Sequence, residues 1–175
     1  MHFGPAAASG RLTCMSHTLP PAADRHFEDY PVGAVFDLGS VSLSEDEILG
    51  FARRYDPQTM HTDPAWAAEG PFGGLIASGW HTVAALMPLI VHNFLPHGGL
   101  VSPGIDELRW LLPVRPNEVL HARGTIVEAR RSRSRPDRGL IRSFVELLNE
   151  AGEPVLTMRP MNFIRCRPES LAPQD

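Results

Sequence analysis

Cysteine is nearly absent. Cys14 and Cys166 are the two in 175 residues, they sit near opposite ends, and neither belongs to a CxxC pair. That spacing carries no disulfide framework and no metal or redox signature, and it predicts a chain kept in a reducing cytoplasm. An excess of charge is missing too. Sixteen basic against twenty acidic side chains leave a formal net charge of −4, which is no footprint for nucleic acid. No apolar run approaches the ~20 residues that cross a bilayer. The first 25 residues are rich in Ala, Pro, Gly and Ser and lack the apolar core of a signal peptide. Met15 is an alternative start, and residues 1–25 are predicted to be a flexible segment. The eight histidines show neither HxxxH nor HExxH spacing, so no metal site is expected.

What remains suits one globular domain. Hydrophobic residues make up 43% and charged residues 21% of a chain long enough to bury its own core. The domain is expected over residues 26–168, with a short tail at 169–175. Ala34 to Leu43 alternates as a strand. Ser44 with Glu47 three residues on forms a capping-box pattern, and Ile48, Leu49, Phe51 and Ala52 supply the stripe of a helix ending near Tyr55. Asp56-Pro57 ends that helix. Asp63-Pro64 opens a short one through Ala68.

Gly79 to Leu95 is apolar on nearly every side, which predicts a helix about 25 Å long, buried all round, with Pro88 a possible kink. Strands then follow near 104–112, 118–131, 139–149 and 153–165, separated by Pro, Asn and Gly punctuation. The expected architecture is α+β: a long helix wrapped by one curved antiparallel sheet.

Chemistry concentrates in two segments. The first is Tyr55-Asp-Pro-Gln-Thr-Met-His61. Asp56 and His61 stand five apart, so they share no helical face. A proline-punctuated connection could still fold them together, giving a carboxylate and an imidazole for acid–base work near neutral pH. The same spacing is met by Asp56 as a local cap and His61 as an ordinary loop histidine. The second segment, Phe72-Gly-Gly-Leu-Ile-Ala-Ser-Gly79-Trp-His-Thr82, runs into the long helix. Gly79 would present an unshielded N–H at the helix start, a donor suited to polarising a carbonyl oxygen. A plain Ser/Gly helix start has the same sequence, and Ser78 is an N-cap under both readings.

Asp56-x4-His61 followed by Ile76-Ala-Ser-Gly79-Trp-His-Thr82, and later by Asp106 to Asn117, resembles the MaoC-like dehydratase and (R)-specific enoyl-CoA hydratase family over roughly Phe27 to Arg167. The resemblance implies a hot-dog fold in paired copies. It implies a catalytic aspartate at Asp56, a catalytic histidine at His61, and a thioester-polarising N–H at Gly79. The implied reaction is reversible syn hydration of a trans-2-enoyl thioester. Gln58, Ser78, Trp80 and His81 are candidate substrate contacts. The implied substrate carries coenzyme A, with no separate cofactor. Two departures stand out. Gln58 occupies the place of the family's asparagine. A gap-free count puts Met87 where the family carries a serine supporting the aspartate, leaving His81 or Thr82 as replacement donors.

The third feature is the turn Arg130-Arg-Ser-Arg-Ser-Arg-Pro-Asp-Arg138, with five arginines. Arg133 and Arg135 could grip the phosphates of coenzyme A. A solvated tip that discourages edge pairing is the plainer reading. Without interleaved aromatics, nucleic-acid binding is a distant third. Trp110 is expected to pack, in the core or at a dimer interface. A thioesterase and a non-catalytic acyl-CoA-binding protein stay open as alternatives, and a homodimer is expected because one sheet leaves exposed edges.

Overall fold

A computed structural model describes residues 19–171. Strand β1 (Val35–Ser42) leads into helix α1 (Glu45–Tyr55), followed by α2 (Thr59–Thr62), α3 (Pro64–Glu69) and α4 (Gly79–Asn93). Strands β2 (Gly104–Trp110), β3 (Val119–Arg131), β4 (Arg138–Leu148) and β5 (Pro154–Arg165) complete the chain. All ladders are antiparallel, in the order β1-β3-β4-β5-β2. This is the expected hot-dog arrangement, and the strand boundaries fall within two residues of those read from the sequence.

The sheet packs one face on α4. Leu120, Ala122, Ile126, Ile141, Val145, Leu147, Leu156 and Met158 point inward at every second position, and they meet Leu86 and Ile90 of α4. Apolar area removed from water in this way is the main driving force of folding. β1 bends over the helix at a bulge between Asp37 and Gly39, where Gly39 takes φ +91°. There Asn93 Nδ2 donates to Leu38 O at 2.8 Å. Tyr30, Phe36 and Phe94 close the C-terminal end of α4 in a cluster of tilted and edge-on rings.

Helix α1 starts as its sequence requires. Ser44 Oγ accepts from Glu47 N, and Glu47 Oε2 accepts from Ser44 N at 2.8 Å. Three expectations change. α4 is not buried all round: Met87 and Val91 are 41% and 44% exposed. A single sheet covers one side of a helix, and the other side lies open in one copy of the chain. α4 also runs unbroken through Pro88. Third, the connection after Asp56 contains the short helix α2, which carries His61.

Residues 1–18, with Cys14, lie outside the described residues, but Arg25 Nη1 donates to Asn93 O at 2.8 Å and ties the preceding turn to α4. At the other end Ser170 Oγ donates to Glu28 Oε1 at 2.8 Å, so the start of the expected tail packs on the domain. Residues 172–175 lie outside the described residues. Cys166 is buried, which pushes its thiol pKa up.

Candidate active site

Asp56 caps the C-terminus of α1 with φ −150° and ψ 71°, outside the α region that Pro57 disfavours in its predecessor. The turn aims its carboxylate at the start of α4. Ser78 Oγ donates to Asp56 Oδ2 at 2.7 Å, and Gln58 Nε2 donates to Oδ1 at 2.8 Å. These two bonds, Ser78 first, hold the carboxyl below the usual carboxylate range. Asp56 is therefore ionised at neutral pH.

His61 reaches the same spot from α2, with a side chain only 7% exposed. Its Nδ1 lies 2.8 Å from Ile76 O. A carbonyl oxygen only accepts, so Nδ1 carries a hydrogen, and in the singly protonated ring the lone pair is at Nε2. That Nε2 faces Asp56 Oδ2 at 3.7 Å. Two acceptors at that separation do not bond each other. They suit a donor with two hydrogens between them.

Ser78 joins the aspartate to the helix. Its hydroxyl gives its hydrogen to Asp56 and accepts from Trp80 N at 3.2 Å, as an N-cap does. The N–H of Gly79, at the first position of α4, finds no acceptor among the described residues. Gly79 lines a cavity of about 400 Å³ that also touches Asp56, Gln58 and His61. Ile76, Leu111, Val114 and Val155 give this cavity apolar walls, and Trp80 and Trp110 stand edge to face beside it, their rings 5.2 Å apart.

Five of the residues singled out from the sequence thus line one cavity: Asp56, Gln58, His61, Gly79 and Trp80. Ser78 sits behind them on Asp56. Three do not join. His81 turns toward α1 and stacks flat on Phe51, rings 4.5 Å apart, because two residues along a helix rotate a side chain most of the way to the opposite face. Arg133 and Arg135 sit exposed on the β3–β4 turn. β5 lines the cavity at Val155, beside Leu156, the partner of Trp110, and meets the turn at Arg165, the partner of Arg138. The nine steps from Leu156 to Arg165 span about 30 Å of strand, beyond the reach of either arginine toward the cavity of its own chain.

The replacement donor is corrected as well. Thr82 Oγ1 donates to Ser78 O, and neither it nor His81 bonds Asp56. Ser78 supports the carboxylate, and Met87 points outward. The sequence reading missed the stretch Leu111 to Val114 as cavity wall, and took Trp110 for packing. Their signal was present in the Trp-Leu-Leu-Pro-Val run that follows β2. Among the described residues no group of His, Cys, Asp and Glu is placed to hold a metal ion, and no helix is long and apolar enough to cross a membrane.

Known proteins share both the frame and the sequence around it. A crystal structure of a MaoC-like dehydratase from Rhodospirillum rubrum superposes with a TM-score of 0.77 at 38% identity, covering 82% of this chain and 99% of that one. The (R)-hydratase of A. caviae, at 22% identity and a TM-score of 0.62 over 78% and 97% of the two chains, shares the fold. Among curated proteins, the uncharacterised YdeM of Bacillus subtilis is 35% identical over 102 residues, 58% of this chain and 70% of that protein. The 3-hydroxyacyl-thioester dehydratase Z of Mycobacterium tuberculosis is 33% identical over 91 residues, 50% of this chain and 60% of that protein. The family model for the MaoC like domain matches residues 29–141. The chain belongs to the MaoC-like domain family.

Proposed function

We propose that this protein interconverts trans-2-enoyl and 3-hydroxyacyl thioesters by adding or removing water. The observation that carries the reading is the pair of atoms Asp56 Oδ2 and His61 Nε2, 3.7 Å apart in a cavity that Gly79 also lines. A water donating one hydrogen to each would be held with its oxygen lone pairs toward a bound acyl chain. In the hydration direction the oxygen attacks C3, and the pair takes one proton from the water. The C2–C3 π electrons move toward the thioester carbonyl, whose growing negative charge the Gly79 N–H and the positive end of α4 stabilise. A proton returns to C2 from the face that carried the water, so the addition is syn. Dehydration runs the same steps backward. The substrate brings coenzyme A or an acyl carrier as its handle, and the residues present need no further cofactor for these steps. The dehydratase and hydratase names of the relatives support the same chemistry.

Gln58 and Met87, the two departures from the family pattern, are compatible with this reading. The longer amide of Gln58 folds back onto Asp56, and Ser78 does the work assigned to the serine that Met87 replaces. Incubation with crotonyl-CoA is the direct test: enoyl absorbance should fall in proportion to protein, with no free thiol released. Thiol release without enoyl loss would make the protein a thioesterase, and neither signal at any chain length would leave it a binder.

Two copies complete the reading. Met87 and Val91 on the outer side of α4 and Ile105 on the edge strand β2 leave apolar surface open, and an unpaired edge invites a partner. Light scattering should report a dimer. A monomer at micromolar concentration would overturn this part alone.

A further inference from the structure

Trp110 ends the edge strand β2, yet its ring lies on the start of α4. A Cβ built on Gly79 would sit 2.5 Å from Nε1, 2.6 Å from Cε2 and 2.8 Å from Cδ1 of that indole. Three consecutive ring atoms at nearly equal distance mean that the point lies over the ring face. The Gly79 Cα therefore rests on the pyrrole side of Trp110, and no larger residue fits without moving the ring. Trp80 braces the same indole at 76° from the other direction. Its own backbone N–H is held by Ser78. The ring is thus fixed by the two residues that open the helix.

The indole N–H is also unspent. Among the side chains lining the cavity, Gln58 gives its amide hydrogen to Asp56, His61 gives Nδ1–H to Ile76 O, and Thr82 gives its hydroxyl to Ser78 O. Trp80 and Trp110 keep donors without a partner among the described residues, and the ring of Trp110 is the one against Gly79. An amide nitrogen lies about 2.5 Å from its own Cβ position, so the Gly79 N and Trp110 Nε1 are at most about 5 Å apart. One oxygen can accept from both at about 2.9 Å.

We propose that Trp110 is a substrate-binding residue whose indole N–H shares the thioester oxygen with the N–H of Gly79. This rests on the thioester reading of the cavity but not on hydration. Charge at that oxygen is greatest in the transition state, so a second donor acts mainly on the chemical step.

A saturated thioester separates the two claims. Butyryl-CoA labelled with ¹³C at the carbonyl cannot be hydrated, and its carbonyl stretch falls in frequency with each hydrogen bond accepted. Isotope-edited infrared spectra of the wild-type complex should show the band lowered. Trp110→Phe keeps an aromatic face on Gly79 and removes the N–H, and should return part of that shift. With crotonyl-CoA the same variant should lose about tenfold in kcat with KM within about twofold, somewhat less than the 10²–10³-fold typical of removing one oxyanion-hole donor. Should Trp110→Phe fail to fold by circular dichroism, benzothienylalanine at position 110, which replaces the indole N–H by sulfur in the same shape, carries the test. A band unchanged by removing the N–H overturns the proposal, and so does a wild-type complex with no lowered band. Wild-type protein that does not bind butyryl-CoA overturns both the proposal and the thioester reading. A lowered band that depends on Trp110, without any enoyl loss, keeps the proposal and removes hydration.

Discussion

The α1–α4 junction and the β3–β4 turn are both polar, both built on turns, and both rich in groups that handle anions or protons. They differ in where those groups are spent. At the junction, Asp56 takes a bond from Ser78, 22 residues away, and His61 gives one to Ile76 O, 15 residues away. At the turn, Arg130 pairs with Glu128 and Arg138 with its neighbour Asp137, while Arg131 reaches back to Glu28. Arg133 and Arg135 pair with no acid among the described residues. Bonds that cross the fold fix a geometry to fractions of an ångström, which catalysis needs. Exposed neighbour pairs contribute little and fix little. The difference tells an active site from a decorated turn better than residue types do.

Substitutions at the junction should therefore cost most. Asp56→Asn keeps the shape and an acceptor for Ser78 but loses the charge, and His61→Ala removes the second acceptor. Each should lower kcat for crotonyl-CoA by on the order of 10²-fold or more, with the melting temperature little moved. Retention of a third or more of the activity in either variant would put the chemistry elsewhere.

Ser78→Ala tests the long-range bond itself. It removes the largest cause of the lowered Asp56 pKa, so that pKa should rise toward the ordinary carboxylate range. Activity that needs the carboxylate ionised then begins to fail at higher pH on the acid side. The same linkage acts on stability. A depressed folded pKa contributes stability above the unfolded value and loses it as pH falls through the folded one. Ser78→Ala should flatten that acid-side loss. The pH–rate profile should show its acid limb moved upward, with kcat at neutral pH down about tenfold. An unmoved limb would mean that Ser78 only caps the helix.

How far the sequence could be read follows the same division. Elements held by local rules were legible: the Ser44–Glu47 box, the Pro-bounded α1 and α3, and the period-two strands. Asp56, His61 and Gly79, which line one cavity, were singled out through their spacing and the family resemblance. The donor to Asp56 was not, because Ser78 serves it across 22 residues while satisfying its own helix as an ordinary N-cap. One hydroxyl filling two roles leaves one signal in the sequence. Trp110 packs, as expected, but against Gly79 and Trp80 beside the cavity. Its meeting with Gly79 depends on where an edge strand ends relative to a helix start, and periodicity says nothing of that. The outer side of α4 was taken as core because apolar residues look the same whether the sheet or a second copy covers them.

His81 should show a smaller effect, confined to stability. Burial pushes its pKa down, with Glu47 pulling the other way, and its Nδ1 has no partner among the described residues. A histidine whose pKa is lower folded than unfolded costs stability as pH falls through the unfolded value, near 6.5. His81→Phe keeps the stack on Phe51 without the charge. Its urea midpoint should change less between pH 7 and 5 than that of the wild type, with kcat within about twofold. A wild-type pH slope in the variant would assign the acid lability to other groups.

The least effect belongs to the arginine turn, and its smallness is the sharpest test of the contrast. Arg133→Ser with Arg135→Ser removes two charges about 30 Å of strand from the cavity of the same chain. Neither side chain holds another residue, so folding has nothing to lose. With crotonyl-CoA, KM and kcat should stay within about twofold of wild type at low salt, where a phosphate contact would be strongest. A several-fold rise in KM that vanishes at high salt would break the comparison in a defined way. The phosphates would then be held by a turn that cannot reach its own cavity, so the turn would have to serve the cavity of a second copy.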